Sequence, residues 1–266
     1  MPKRHLLLIV LLATVFAGAC AKKTPPVARP AAPPPLPAAA EPARPPAPPQ
    51  PVPEGFDYER WLGPAPLEPY TPKRCHGTFR FIYDYSGGQL TDIGAHFNDL
   101  AQWGVDKEMT GPVEFDGRAE FPAEGLFDTP VHYEVNCLYA DGVKLVMHDV
   151  NPFGVKFEGD EGWISLNDKG LVEAEPKSLL EGANFTQQDY QVWFGHHRNF
   201  LDCVKTRATP IACPEVAHRS STVCHAGNLC LRLGRKLAWD PAKEQFANDD
   251  DANRMLARTR RAPWRL

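Results

Sequence analysis

No two glycines stand in a GxG arrangement anywhere in the 266 residues, so the glycine-rich turn that hands a pyrophosphate to a helix N-terminus is missing. The chain also has no CxxC pair and no HExxH run, which removes the usual zinc-knuckle, dithiol and metalloprotease signatures. Its longest apolar run, Leu6 to Ala17, is about a dozen residues, short of the roughly 20 that cross a bilayer as a helix. Aromatic residues are absent from Thr24 to Pro53, which holds 14 of the chain's 28 prolines with alanine filling most of the rest. Such a stretch has too little apolar surface to offset its ordering entropy. Residues 21–54 are therefore expected to be a disordered Pro/Ala-rich linker, polyproline-like and reaching up to about 90 Å at about 3.1 Å per residue. A PxxP ligand is a weaker reading, because only Arg29 and Arg44 supply basic residues among the prolines. Positive charge is also short. From residue 54 onward 23 basic residues face 32 acidic ones, and with no basic stripe nucleic acid is not expected as a partner.

What the start of the chain does have is an export pattern. Lys3 and Arg4 precede the apolar run, and small residues lead to Cys20, so residues 1–20 read as a signal peptide. Ala17-Gly18-Ala19-Cys20 resembles the bacterial lipobox, in which the cysteine is lipidated and becomes the new first residue. That resemblance implies a membrane-held protein, and Ala21 after the cysteine points to the outer membrane. Ordinary cleavage near Ala19 or Ala21, leaving a periplasmic or secreted protein, is the other reading.

Residues 55–266 are left to fold, a length that suits one domain with a sizeable core. Cys75, Cys137, Cys203, Cys213, Cys224 and Cys230 permit up to three disulfides in an exported chain, but six cysteines allow fifteen connectivities. Cys224 and Cys230 point to different sides of one helix and are not expected to pair. Gly55 to Arg80 reads as an irregular lead-in. Short β-branched or aromatic runs follow at Val113 to Phe121, Val131 to Tyr139, Val143 to Val150, Gly154 to Glu158, Gly162 to Leu166 and Leu171 to Ala174. Asp141-Gly142 marks the clearest hairpin. Helical spacing returns over Tyr190 to Arg207 and Pro214 to Leu233. The fold class is therefore α+β, an open antiparallel or mixed β-sheet with helices packed on one face. The uncovered face makes a homo-oligomer the expectation.

The chemistry concentrates in Ser86 to Gly104. Leu90, Ile93, Phe97 and Leu100 form an apolar stripe, and the same spacing puts Asp92, His96 and Asp99 on a neighbouring face. Gly87-Gly88 lets the backbone turn or approach a ligand just before the helix. An Asp four residues ahead of a His can fix its tautomer and suit it to acid–base work. An ordinary ion pair on a helix has the same spacing, and the three groups could also hold a divalent metal, though without HExxH specificity.

WLGPAP at Trp61 to Pro66, YTPKRCHGTFRFIYDYSGGQLTDIGAHFNDLAQWG at Tyr70 to Gly104, HHRNFLDCVKTRATPI at His196 to Ile211, HRSSTVCHAGNLCLRLGRKLAWDP at His218 to Pro241 and the closing PWRL resemble the C-terminal domain of Gfo/Idh/MocA-type oxidoreductases of the bacterial type. The resemblance covers about Gly55 to Leu266, and its most specific part is GGxLxDxGxHxxD. It implies a substrate and dimerisation domain acting on sugars, with Asp92 and His96 as the acid–base pair and Asp99, Arg80, Tyr83 and His197 as substrate-binding residues. Full-length relatives carry an N-terminal nicotinamide-binding domain and a Glu-Lys-Pro segment with a catalytic lysine, and neither has a counterpart here. No cofactor is expected from this chain.

Three functions follow as expectations. One is a carbohydrate-binding or carbohydrate-modifying protein using Asp92 and His96 without a redox step. Another is a non-catalytic surface lipoprotein for recognition or assembly, and the third is an oxidoreductase completed by a separate nicotinamide-binding chain. Histidines 76, 132, 148, 218 and 225 read as packing or surface residues, and at most one of His196 and His197 can point inward, since neighbours on a helix diverge by about 100°.

Overall fold

The computed structural model describes residues 48–151, 153–183 and 192–264. The signal peptide, Cys20 and the linker up to residue 47 lie outside the described residues, as do Tyr190 at the expected helix start and the last two residues of the PWRL close. Residues 48–53 are extended and exposed, and the Gln50 N–H donates to the Tyr70 carbonyl at 2.9 Å.

The chain divides into two compact units. Among the described residues the larger holds 48–96, 110–151 and 222–264. Its five-stranded antiparallel sheet has the order β3-β2-β1-β7-β8, with β1 Glu114–Glu120, β2 His132–Leu138, β3 Lys144–His148, β7 Leu237–Asp240 and β8 Gln245–Phe246. Alternation along these strands sends Phe115, Tyr133, Val135, Cys137, Met147, Leu237 and Trp239 to one face. There they pack with Val223, Ala226, Leu229, Cys230 and Leu231 from the helix Pro214–Leu233. Gly227 sets how close that helix comes. A Cβ there would meet Met147 Cε at 2.7 Å, so even an alanine would need the flexible end of Met147 to move aside. The opposite face carries Asp116, Arg118, Asn136, Lys144 and His148, all exposed.

The Asp141-Gly142 signal lies between β2 and β3 as expected. Tyr139 and Val143 close the loop through a 2.9 Å backbone bond, and Gly142 takes φ 92°, a conformation that side chains rarely adopt. The expected irregular lead-in contains a short helix, α1 (Tyr58–Leu62), capped by the Asp57 side chain. It packs Tyr58, Leu62, Tyr70 and Cys75 into a small cluster with Phe56, Trp61 and Tyr85. None of the six described cysteines is in a disulfide, so the framework that an even count permitted is not built.

The second unit has its own three-stranded antiparallel sheet, β4 Gly154–Gly159, β5 Gly162–Asn167 and β6 Val172–Glu175. The expected strand run is thus split between two sheets, and no strand pairing among the described residues is parallel. Helix α2 (Ile93–Gly104) ends in this unit with Gly104 against Phe157, where a Cβ would lie 2.3 Å from the ring. Helix α3 (Val192–Thr206) leaves Phe200, Leu201 and Val204 exposed. Pro214–Leu233 is α4 and Asp250–Arg254 is α5.

Candidate functional site

The turn ahead of α2 is set by two glycines that have no room for a side chain. At Gly87 a Cβ would meet Asn228 Nδ2 at 2.6 Å, and at Gly88, where φ is +74°, it would meet Thr129 at 2.6 Å. Asn228, 2% exposed, donates to the Gly87 carbonyl at 3.0 Å. The Gly88 carbonyl then accepts from Thr91 and Asp92, at 3.2 and 3.1 Å, and the helix begins at Ile93. Leu90 is fully buried but sits in the turn, three residues before the helix begins. Within α2 the buried residues are Asn98, Ala101 and Gln102, whereas Ile93, Phe97 and Leu100 are half-buried. The apolar stripe expected along the helix is therefore not its most buried face.

Asp92 lies immediately before α2, and its carboxylate takes Arg80 Nη1 as an ion-pair partner. Arg80 is steadied in turn by its Nε donating to the Gly77 carbonyl at 2.9 Å. His96 is exposed in the first turn of α2, and no hydrogen bond joins it to Asp92. The helical spacing that suggested an Asp–His pair does not apply, because the first of the two precedes the helix. In the second unit Asp99 is half-buried, and burial followed by the charges of Asp99 and Asp106 raises the Glu108 carboxyl above its ordinary value. His197 lies exposed on α3 beside His196, their ring centroids 6.2 Å apart.

Tyr83 is held in a more elaborate setting. Its N–H donates to Asp128 Oδ1 at 2.7 Å. Arg232 Cζ lies 3.3 Å from its ring centroid and Arg258 Cζ 4.3 Å. Arg232, at the end of α4 with its side chain 18% exposed, also donates from Nη2 to the Asp128 carbonyl at 2.9 Å. Burial pulls this guanidinium below its ordinary value, Tyr83 and Asp128 oppose the shift, and Arg258 adds to it. Reasoning from sequence missed Arg232, Arg258 and Asp128. They reach Tyr83 from distant segments, and no local spacing signals that.

A second omission is His132. Its Nδ1 lies 2.8 Å from Asp149 Oδ2, while Asp149 Oδ1 accepts from the Tyr133 N–H at 2.9 Å. This carboxylate is 12% exposed and the imidazole 31%, so the ring is oriented yet still reachable. Strand register places the pair, since His148, next to Asp149, lies opposite Glu134 across the β2–β3 hairpin.

Among the described residues no group of three or more His, Cys, Asp or Glu side chains could hold a metal ion. The sheets among the described residues are antiparallel throughout and contain no glycine-rich β-α-β unit.

Residues 43–266 match the oxidoreductase family, C-terminal alpha/beta domain. The chain belongs to that family. The Gfo/Idh/MocA resemblance read from its motifs is thereby borne out, as is the α+β fold with antiparallel sheet and helices. Similar solved structures include the aldose-aldose oxidoreductase from Caulobacter crescentus complexed with glycerol, 18% identical, with 61% of this chain and 51% of that chain covered and a TM-score of 0.48. An oxidoreductase domain protein from Kribbella flavida is 15% identical, covering 64% and 53%, with a TM-score of 0.46. The WlbA dehydrogenase from Bordetella pertussis, in complex with NADH and UDP-GlcNAcA, is 12% identical, covering 60% and 50%, also at 0.46. This chain thus spans about half the length of these structures. No curated protein matches it.

Proposed function

We propose that the chain is an exported, lipid-anchored protein that binds a sugar or sugar derivative and uses His96, with Asp92 beside the same turn, for proton transfer without a redox step. The observation that carries this is the pairing of a solvent-open imidazole at the start of α2 with a carboxylate fixed just ahead of it by Arg80. The resemblance of the GGxLxDxGxHxxD segment to Gfo/Idh/MocA-type oxidoreductases, a family with sugar-related substrates, supports a sugar as the ligand class.

On an oxidised sugar, the carbon next to the carbonyl carries an acidified proton. His96 takes that proton and an enolate forms. Return of a proton from solvent to the opposite face, with His96 giving its proton up to solvent, inverts the centre, whereas a β-hydroxyl that takes the proton held by His96 departs as water and completes an elimination. A positioned acid or base supplies about 10²- to 10⁴-fold, enough for chemistry at so acidified a centre. Asp92 and Arg80 would orient the sugar hydroxyls, with Tyr83 of the same unit as a further ligand contact.

Cys20 would carry the lipid and residues 21–54 would hold the domain away from an outer membrane, with the open face of the five-stranded sheet pairing two copies. One observation favours a second reading, a non-catalytic lipoprotein for recognition or assembly: Asp92 is committed to Arg80, and among the described residues no carboxylate pairs with His96 to set its tautomer.

Thermal-shift measurements on the purified folded region with plain sugars, oxidised sugars and NAD(P) separate the two. A sugar-induced rise in Tm that is lost in His96→Ala and Asp92→Asn supports the first. Indifference to every sugar supports the second.

A further inference from the structure

Arg232 and Arg258 place two guanidiniums on the ring of Tyr83, at 3.3 and 4.3 Å. Like charges so close repel, and stacking on a ring offsets only part of that cost. The negative charge facing them is limited. Asp128 Oδ2 lies 4.0 Å from Arg232, Asp128 Oδ1 is taken by the Tyr83 N–H at 2.7 Å, and Asp84 acts on Arg232 as an exposed, weaker influence. Arg258 is exposed and has no carboxylate partner among the described residues, and no described residue hydrogen-bonds the Tyr83 hydroxyl.

Four chain segments, carrying Tyr83, Asp128, Arg232 and Arg258, meet at this ring, so its donors are ordered before any ligand arrives. Ordering in advance lowers the cost of binding. A planar guanidinium presents a fork of N–H groups that matches two oxygens of a carboxylate or phosphate, and a phenol O–H can complete the set.

We infer that the Tyr83–Arg232–Arg258 clamp recognises the anionic group, a carboxylate or a phosphate, of a small polyhydroxylated ligand. The inference rests on the saccharide reading for the sugar part of the ligand, while the anionic part stands on the clamp alone.

Calorimetric titration of the folded region with glucuronate, glucose 6-phosphate, glucose and inorganic phosphate tests it. The acidic sugars should bind at least about tenfold more tightly than glucose, and the glucuronate and glucose 6-phosphate arms separate a carboxylate from a phosphate. Arg258→Ala should abolish that preference at unchanged Tm, because the residue is exposed, and Arg60→Ala, another exposed arginine, should keep it. Inorganic phosphate bound by the wild type and lost in Arg258→Ala, with no sugar bound at all, would uphold the clamp and sink the saccharide reading. Glucose bound as tightly as glucuronate would uphold the saccharide reading and overturn the clamp. Preference surviving in Arg258→Ala, or no binding of any of the four, would also overturn it.

Discussion

Arg80 holds the carboxylate of Asp92, while His96, one turn further on, is left open to solvent. The Arg80 and Asp92 side chains are 43% and 35% exposed, so the pair belongs to the surface class that contributes about 0–1 kcal/mol to stability. Arg80→Ala should therefore shift Tm by no more than a few degrees. If the pair instead positions Asp92 for a ligand, the same change weakens sugar binding well beyond its effect on folding, and Arg80→Lys recovers part of it. Equal loss of binding and stability would point to a structural role alone.

The Gly87-Gly88 turn should be intolerant of change. Asn228→Ala removes a buried bond to the Gly87 carbonyl and leaves that oxygen without its amide donor, which costs about 1–3 kcal/mol. Gly88→Ala adds a Cβ 2.6 Å from Thr129 at a φ of +74°, so it should be at least as damaging. Urea unfolding monitored by circular dichroism measures both, and a loss under about 0.5 kcal/mol for either would show that the turn is less constrained than the contacts indicate.

Alkaline pH should destabilise the larger unit through its core. Burial raises the Cys230 thiol to about 11 and the Cys137 thiol well above its ordinary 9.0, and it lifts the Tyr133 and Tyr139 phenols in the same direction. Above the unfolded thiol value the unfolded chain releases protons that the folded chain retains, so it binds fewer protons and stability falls as pH rises. Unfolding midpoints should thus be level up to about pH 8.5 and decline from there toward 11. Cys230→Ala, by removing one titrating group, should flatten part of that slope. A midpoint independent of pH across this window would show that the thiols are not buried as described.

Thiol chemistry gives an independent check on the fold. In a Cys20→Ser chain the half-buried Cys203 and Cys213 should react with a thiol reagent in the native state, whereas Cys75, Cys137, Cys224 and Cys230 should wait for unfolding. Native protein with no reactive thiol, restored by reductant, would reveal disulfides instead.

Much of the strand pattern was legible because alternation is a period-two signal and turn residues punctuate it. The run expected at Val131 to Tyr139 appears as His132–Leu138, and that at Gly162 to Leu166 as Gly162–Asn167. Pro214–Leu233 begins at its proline as expected. The short strands Leu237–Asp240 and Gln245–Phe246 were not, since four and two residues carry too little periodicity and exist through pairing with β1 and with each other. The site was less legible than the fold. Asp92 lies outside the helix that its spacing to His96 presupposed, and Tyr83 takes its partners from residues 128, 232 and 258. Contacts of that range leave no trace in local sequence.

Proton exchange tests the central claim most directly. The folded region, incubated in D₂O with an oxidised sugar and no nicotinamide, should exchange the hydrogen next to the carbonyl faster than buffer does, by about 10²-fold or more, as read by NMR. His96→Ala should return the rate to that of buffer at unchanged Tm. Exchange no faster than buffer in the wild type, or an undiminished rate in His96→Ala, would contradict the assignment of acid–base chemistry to this turn.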